Sequence, residues 1–306
     1  MLTKSKMKRI LAGCNILVCV FFTLPCSAQV IDMHLHAYTE PTFKVPVKDY
    51  YGNSGSATAD AHFKETYGYL RQLRIVKAVV SGSVESVDSW MAKDVDKRLI
   101  RGFGMTAPDD YGMDSIKFEK LVREGKIAVF GEVAPYYSGS TLSDAAWQPY
   151  LKICEKYDIP VGVHTGGGDP GGTYSWSPKA RLKYADPYLV EDVLVRYPKL
   201  RLYIMHSGED WYEHALRLMA YYPQLYSDIG AMLWVEPLDQ RYVRAFLKNA
   251  KQAGYLGRVM YGTDQMRWPY AIKRSIDFLN SMKFLTAQDK RDILYNNAAR
   301  FLRLKK

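Results

Sequence analysis

Ile127-Ala128-Val129-Phe130-Gly131-Glu132, a run of helical apolar spacing at 143–157, and Ile159-Pro160-Val161-Gly162-Val163-His164 together carry the fold of this chain. Two short apolar runs flanking a helix-like segment read as a strand–helix–strand unit. Each run closes on a polar side chain. The alternation extends in both directions, with strands expected near 30–36, 75–81, 99–105, 127–133, 159–164, 200–206, 225–230 and 258–264. Helices are expected near 60–73, 85–97, 114–124, 143–157, 186–197, 209–221, 239–254 and 269–282. Asp114, Ser143 and Asp186 suit helix N-caps, and Pro187 suits a first helical position. Tyr197-Pro198 and Tyr222-Pro223 each end a helix. Eight successive repeats predict an α/β fold, a single (β/α)8 TIM barrel rather than an open sheet. Residues 286–304 are expected to add one or two C-terminal helices against the outside of the barrel.

The first 28 residues read as a signal peptide, leaving 29–306 as one domain. Lys4, Lys6, Lys8 and Arg9 form a basic start, Ile10 to Leu24 is mostly apolar but short for a membrane span, and Cys26-Ser27-Ala28 offers small residues for cleavage before Gln29. The expected location is therefore periplasmic or secreted, with no stable membrane anchor after cleavage. Three of the four cysteines fall in this leader, so the lone Cys154 on a helix predicts no disulfide framework. Without the four leader cations the formal charge of +10 drops to about +6, dispersed along the chain. No basic stripe or nucleic-acid motif is present, so the expected partner is a small-molecule substrate, with a homodimer left open. The 24 tyrosines are read as barrel and loop packing, with those just after strand ends, such as Tyr136-Tyr137, as candidate pocket walls.

Four of the six histidines close strand-like runs: His34 and His36 after Val30-Ile31-Asp32-Met33, His164, and His206 after Leu202-Tyr203-Ile204-Met205. Glu132 closes the fourth strand, and Asp264 closes Val259-Met260-Tyr261-Gly262-Thr263. A strand alternates its faces, so His34 and His36 point the same way. The C-terminal strand ends of a barrel converge, which would bring residues of strands 1, 4, 5, 6 and 8 together. Imidazole and carboxylate donors without cysteine suit zinc first, with manganese, iron or nickel as alternatives. The long connections 37–59 and 165–185 follow strands 1 and 5, where binding loops belong. Gly166-Gly167-Gly168 lacks the lysine of a phosphate-binding loop and is read as a substrate loop.

The ordered set Asp32-Met33-His34-Leu35-His36, Val163-His164-Thr165-Gly166, Lys199–Gly208, Tyr261-Gly262-Thr263-Asp264 and Ile293–Phe301 resembles the metal-dependent amidohydrolase superfamily, in its amidohydrolase family 2 branch. The resemblance covers nearly all of 29–306. It implies that His34, His36, His164 and Asp264 bind one divalent catalytic metal ion. It also implies that Asp264 and His206 act in catalysis, His206 as acid/base or electrostatic stabiliser. Gly131-Glu132-Val133 also looks like the strand-4 carboxylate that bridges two metals in TatD-type nucleases. Glu132 is therefore either a further ligand, in a less favoured two-metal arrangement, or a neighbour of the ligands.

A divalent ion activates water and polarises a carbonyl, which Asp264 and His206 would assist by proton transfer and oxyanion stabilisation. Asp32 is assigned either to fixing a ligand tautomer or to a buried structural hydrogen bond. Arg267, Trp268 and Trp234 are candidate substrate contacts, Arg267 either as a clamp for a carboxylate or as a partner in a surface ion pair. His62 and His214 are assigned surface or packing roles. The expected function is an exported metal-dependent hydrolase of an amide, lactone or ester. A decarboxylase of an aromatic or unsaturated acid is the nearest alternative, and a noncatalytic binding barrel the alternative of another class.

Overall fold

In the computed structural model, residues 29–305 are described. The expected signal peptide, 1–28, lies outside them. Eight strands follow one another in a single parallel sheet in chain order: β1 Val30–His36, β2 Ile75–Ser81, β3 Leu99–Met105, β4 Val129–Val133, β5 Val161–His164, β6 Leu202–Met205, β7 Tyr226–Asp228 and β8 Val259–Met260. Helices α1 Ala59–Gln72, α2 Val84–Ala92, α3 Ser115–Arg123, α4 Gln148–Lys156, α5 Glu191–Arg196, α6 Tyr212–Tyr221, α7 Pro237–Gln252 and α8 Ala271–Ser281 alternate with them. This is the expected (β/α)8 barrel.

The seam between the last strand and the first is closed by a few specific bonds. Met33 N donates to Tyr261 O at 3.0 Å, and Asp264 N to His34 O at 2.7 Å. Between them Asp32 Oδ1 accepts from Thr263 N at 2.8 Å and from His34 N at 3.0 Å, while Oδ2 accepts from the Thr263 hydroxyl. Asp32 thus has the structural one of its two expected roles. Burial raises its carboxyl to about 7, against the lowering pull of these donors. β8 is shorter than expected because its pairing with β7 ends at Met260, Tyr261 N donating to Ile293 O instead.

The main apolar core lies between the strands and the surrounding helices, with Phe103, Phe118, Phe130 and Trp147 among its buried side chains. Inside the barrel Tyr203 is fully buried, and a Cβ on Gly162 would lie 2.4 Å from its ring. Glycine there makes room for the tyrosine. The C-terminal helices depart from expectation. α9 (Ala287–Arg291) and α10 (Asn297–Phe301) are joined by one π-helical turn, and α10 packs Ala298 and Phe301 onto Ile31, Val79, Val129, Tyr203 and Met260. Arg201, just before β6, donates to Phe301 O at 2.7 Å. The tail therefore forms a floor under the N-terminal strand ends instead of lying on the outer wall. Asp114 and Asp186 cap as expected, but Ser143 does not; its hydroxyl donates to Leu189 O, and the turn before α4 starts from Asp144.

Candidate active site

The opposite, C-terminal mouth of the barrel gathers all six strand-end residues. His34 and His36 lie on one face of β1 with ring centroids 5.1 Å apart. Glu132 sits at the centre. Its Oε1 is 2.6 Å from His164 Nδ1 and 3.3 Å from His206 Nε2, and its Oε2 is 3.4 Å from His36 Nε2 and 3.6 Å from His34 Nε2. Asp264 Oδ1 completes the group, 2.9 Å from His36 Nε2 and 3.7 Å from His34 Nε2. The backbone is strained where these residues emerge: His206, Ser207, Gly208 and Glu209 all have positive φ after β6, and Asp264 has φ 54°. Non-glycine residues held in this region cost on the order of 1–3 kcal/mol each, and such strain concentrates at functional sites.

Mutual electrostatics dominate the protonation of the group. Burial would raise the Glu132 carboxyl, but the hydrogen bonds from His164 and His206, with the nearby His34 imidazole, outweigh it and hold the group well below its ordinary value. Burial likewise works against charge on His34 and His206. The charges of Asp264 and Asp228 nevertheless carry His34 well above its usual value, and the Glu132 hydrogen bond with the Asp264 charge brings His206 to about 9. For Asp264 burial is overcome by the charges of His34 and His36, leaving it at about 2.

The donor set fits a divalent ion. His34 Nε2 and Asp264 Oδ1 are buried without a hydrogen-bond partner, although Asp264 Oδ1 lies close beside His36 Nε2. Buried polar atoms are rarely left so, and an ion is one of the few groups that can satisfy both. Three overlapping sets, His34/His206/Asp264, His34/His36/Glu132 and Glu132/His164/His206, each bring their donor atoms within 4.8 Å. Glu132 belongs to two of them and faces all four imidazoles. His164 is the least free, because its Nε2 lies 2.7 Å from Gly167 O while Nδ1 faces Glu132.

Asp228, at the end of β7, is the residue that sequence reasoning missed. Its Oδ2 is 3.2 Å from His34 Nδ1, and its Oδ1 accepts from His206 N at 2.9 Å and Gly230 N at 3.0 Å. It thereby directs His34 Nε2 towards Glu132 and Asp264. A Cβ on Gly230 would come within 2.8 Å of His34 Nδ1, so a glycine leaves space for this pair. Asp228→Asn is expected to weaken divalent-ion affinity about 10- to 100-fold with the fold retained. A chelator-competition titration checks this, and unchanged affinity would remove Asp228 from the site.

Two lobes of a cleft meet over the cluster, of about 450 Å³ and about 380 Å³. Tyr137, His164, Asp169, Asp264 and Met266 line both, so Tyr137 has its expected place in the pocket wall. The larger lobe is rich in hydroxyls, including Tyr38, Ser81, Ser83 and Thr106. The smaller is lined by Trp234 and Trp268, with ring centroids 6.0 Å apart. Arg267 is placed otherwise. Its guanidinium donates to Thr42 O and Val45 O, tying the loop after β8 to the loop after β1 and leaving it off both lobes as a carboxylate clamp. His62 is buried among Tyr38, Phe43 and Trp90, and His214 pairs with Asp186 at 2.8 Å, so both have packing roles.

Residues 31–304 match the family model described as Amidohydrolase. No curated protein matches the chain. Several solved structures share the fold at low identity. A probable 2-pyrone-4,6-dicarboxylic acid hydrolase from Acinetobacter baumannii, with citric acid bound, superposes with a TM-score of 0.62 at 13% identity over 90% of this chain and 100% of its own. An uncharacterised TIM-barrel protein from Bordetella bronchiseptica gives 0.63 at 17% identity, over 90% and 98%. A 5-carboxyvanillate decarboxylase from Novosphingobium aromaticivorans, complexed with manganese and a nitrobenzoic acid, gives 0.61 at 14% identity, over 90% and 96%.

Proposed function

Because the chain belongs to the amidohydrolase family, we propose that it is a metal-dependent hydrolase of a C–N or C–O bond in an amide, lactone or ester. The observation that carries this reading is the pair of buried, unpartnered donors, His34 Nε2 and Asp264 Oδ1, inside a ring of imidazoles and carboxylates at the barrel mouth. His34, His36, His164 and Asp264 would hold the ion, with Glu132 facing all four imidazoles beside them. Zinc suits this nitrogen and oxygen set, and manganese, iron and nickel suit it too. When bound, a divalent ion supplies Lewis acidity towards water and a carbonyl oxygen.

The chain's own groups do the rest. Asp264, ionised at neutral pH, accepts a proton from the attacking water and passes it to the leaving group. His206 faces the cluster through Nε2 and steadies the negative charge that grows on the carbonyl oxygen. Asp228 keeps His34 aligned. The two lobes receive the two halves of a substrate on either side of the scissile bond. The basic and then apolar start of the chain supports export, which would place the enzyme where it meets external compounds.

Decarboxylation is the second reading, since structures of this fold include carboxyvanillate and dihydroxybenzoate decarboxylases. The lining of the cleft favours hydrolysis. Among the described residues no arginine lines either lobe, and the one lysine, Lys48, lies at the mouth of the smaller. A test combines metal analysis of the purified protein with turnover of an amide, ester and lactone panel against carbon dioxide release from aromatic acids. About one divalent ion per chain with hydrolytic turnover is expected. Turnover that survives complete removal of metal would overturn the metal assignment, and carbon dioxide release without hydrolysis would replace the reaction.

A further inference from the structure

The smaller lobe contains a carboxylate that the proposed chemistry does not use. Asp239, in the first turn of α7, is only 8% exposed, lines the lobe, and has no hydrogen-bond or ion-pair partner among the described residues. The positive end of a helix dipole accounts for an acid at this position. It does not account for a buried carboxyl that accepts no backbone N–H and opens on a cavity. Such a group is costly to keep unless something meets it there. Burial, reinforced by the charges of Glu209 and Glu236 and opposed by His206 alone among the main causes, raises Asp239 to about 7.

The surroundings indicate what would meet it. Glu209 and Glu236 line the same lobe. Asp49, at its mouth, is already engaged by the Tyr51 and Asn53 backbone and by the Tyr270 hydroxyl. Lys48 is exposed there and pairs with none of these acids. The wall is aromatic: the half-buried Trp268 and the almost wholly buried Trp234 give their N–H groups to Asn53 O and Thr263 O, so what they show the lobe is apolar. Among the described residues, the donor sets that converge within 4.8 Å all belong to the histidine cluster, so these acids do not assemble a second metal site. Aromatic faces with surplus negative charge suit an organic cation.

We propose that the smaller lobe seats a protonated or quaternary amine on the non-reacting side of the substrate, with Asp239 as its counter-charge and Trp234 and Trp268 as its walls. The inference deepens the hydrolase reading, on which it rests for what happens at the scissile bond, but cation binding itself needs no turnover.

Tryptophan fluorescence of the metal-loaded protein, titrated with choline and with its uncharged isostere 3,3-dimethyl-1-butanol, tests it. Choline should quench saturably and bind at least about tenfold more tightly than the isostere. Asp239→Asn should weaken choline at least about tenfold, leave the isostere unchanged, and keep the metal content of the parent. Glu236→Gln is the second variant, since the Glu236 side chain makes no capping bond, and it should weaken choline several-fold even where Asp239→Asn fails to fold. Equal binding of the two probes, preferred binding of citrate, or choline affinity unchanged in the variants would overturn the proposal. Metal content measured on the same samples separates the two readings: its absence would sink the hydrolase, while matched probe affinities with metal present would sink only the cation lobe.

Discussion

Replacing His34 and His36 together by alanine is expected to strip the protein of its divalent ion and to lower kcat/KM at least about a thousandfold, because several kcal/mol of transition-state stabilisation leave with the Lewis acid. The barrel should survive. Neither imidazole belongs to the apolar clusters that hold strands to helices. Asp228, deprived of His34, still accepts from His206 N and Gly230 N. Metal analysis and circular dichroism of the double variant check both halves of the expectation. A variant that keeps its ion and its rate would move the metal site elsewhere in the molecule.

The second large effect concerns Glu132. In the metal-free protein this carboxylate faces four imidazoles, and two of them, His34 and His206, are held above their ordinary pKa values. Glu132→Ala removes that negative charge while Asp264 and Asp228 remain. Taking one partner from a buried ionic group costs up to about 3–5 kcal/mol, less what is recovered when the imidazoles release their protons. Glu132→Gln, which keeps a hydrogen-bonding oxygen without the charge, should lie between Glu132→Ala and the parent. Urea unfolding of the three metal-free proteins at pH 7 orders them. If Glu132→Ala were as stable as the parent, the carboxylate would not be the electrostatic centre of the cluster.

Much of this was legible from strand periodicity. β1, β2 and β3 have their expected limits because long alternating apolar runs define both ends of a strand. The six strand-end residues met because a parallel barrel places those ends on one face, whatever their separation in the chain. Periodicity failed where tertiary hydrogen bonds set the limits. The run expected as a strand at 225–230 paired only over Tyr226–Asp228, so Asp228 stood at a strand end when the pattern placed it inside one. Its role at His34 was hidden for that reason. Arg267, open to a clamp or an ion-pair role on sequence, reaches backbone carbonyls instead, because nearness in sequence to Asp264 says nothing about which groups its guanidinium meets, and Thr42 and Val45 belong to a loop more than 200 positions away. The standing of Glu132 depended on distances among four imidazoles from three strands, which no spacing encodes. The tail was placed on the wrong surface because an amphipathic helix announces that it packs, but not against which opening of the barrel.

The seam joining β1 to β8 gives the centre a place in the order of assembly. Asp32 and Thr263, which meet there, are 231 positions apart, so this is among the longest loop closures in the chain. Until it forms, His34 and His36 are present without Asp264, and only part of the ion's surroundings exists. Uptake by the whole set therefore reports that the ring of strands has shut. An ion held by this set would act as a clasp on the join, adding its own binding free energy to the work of prising the first and last strands apart.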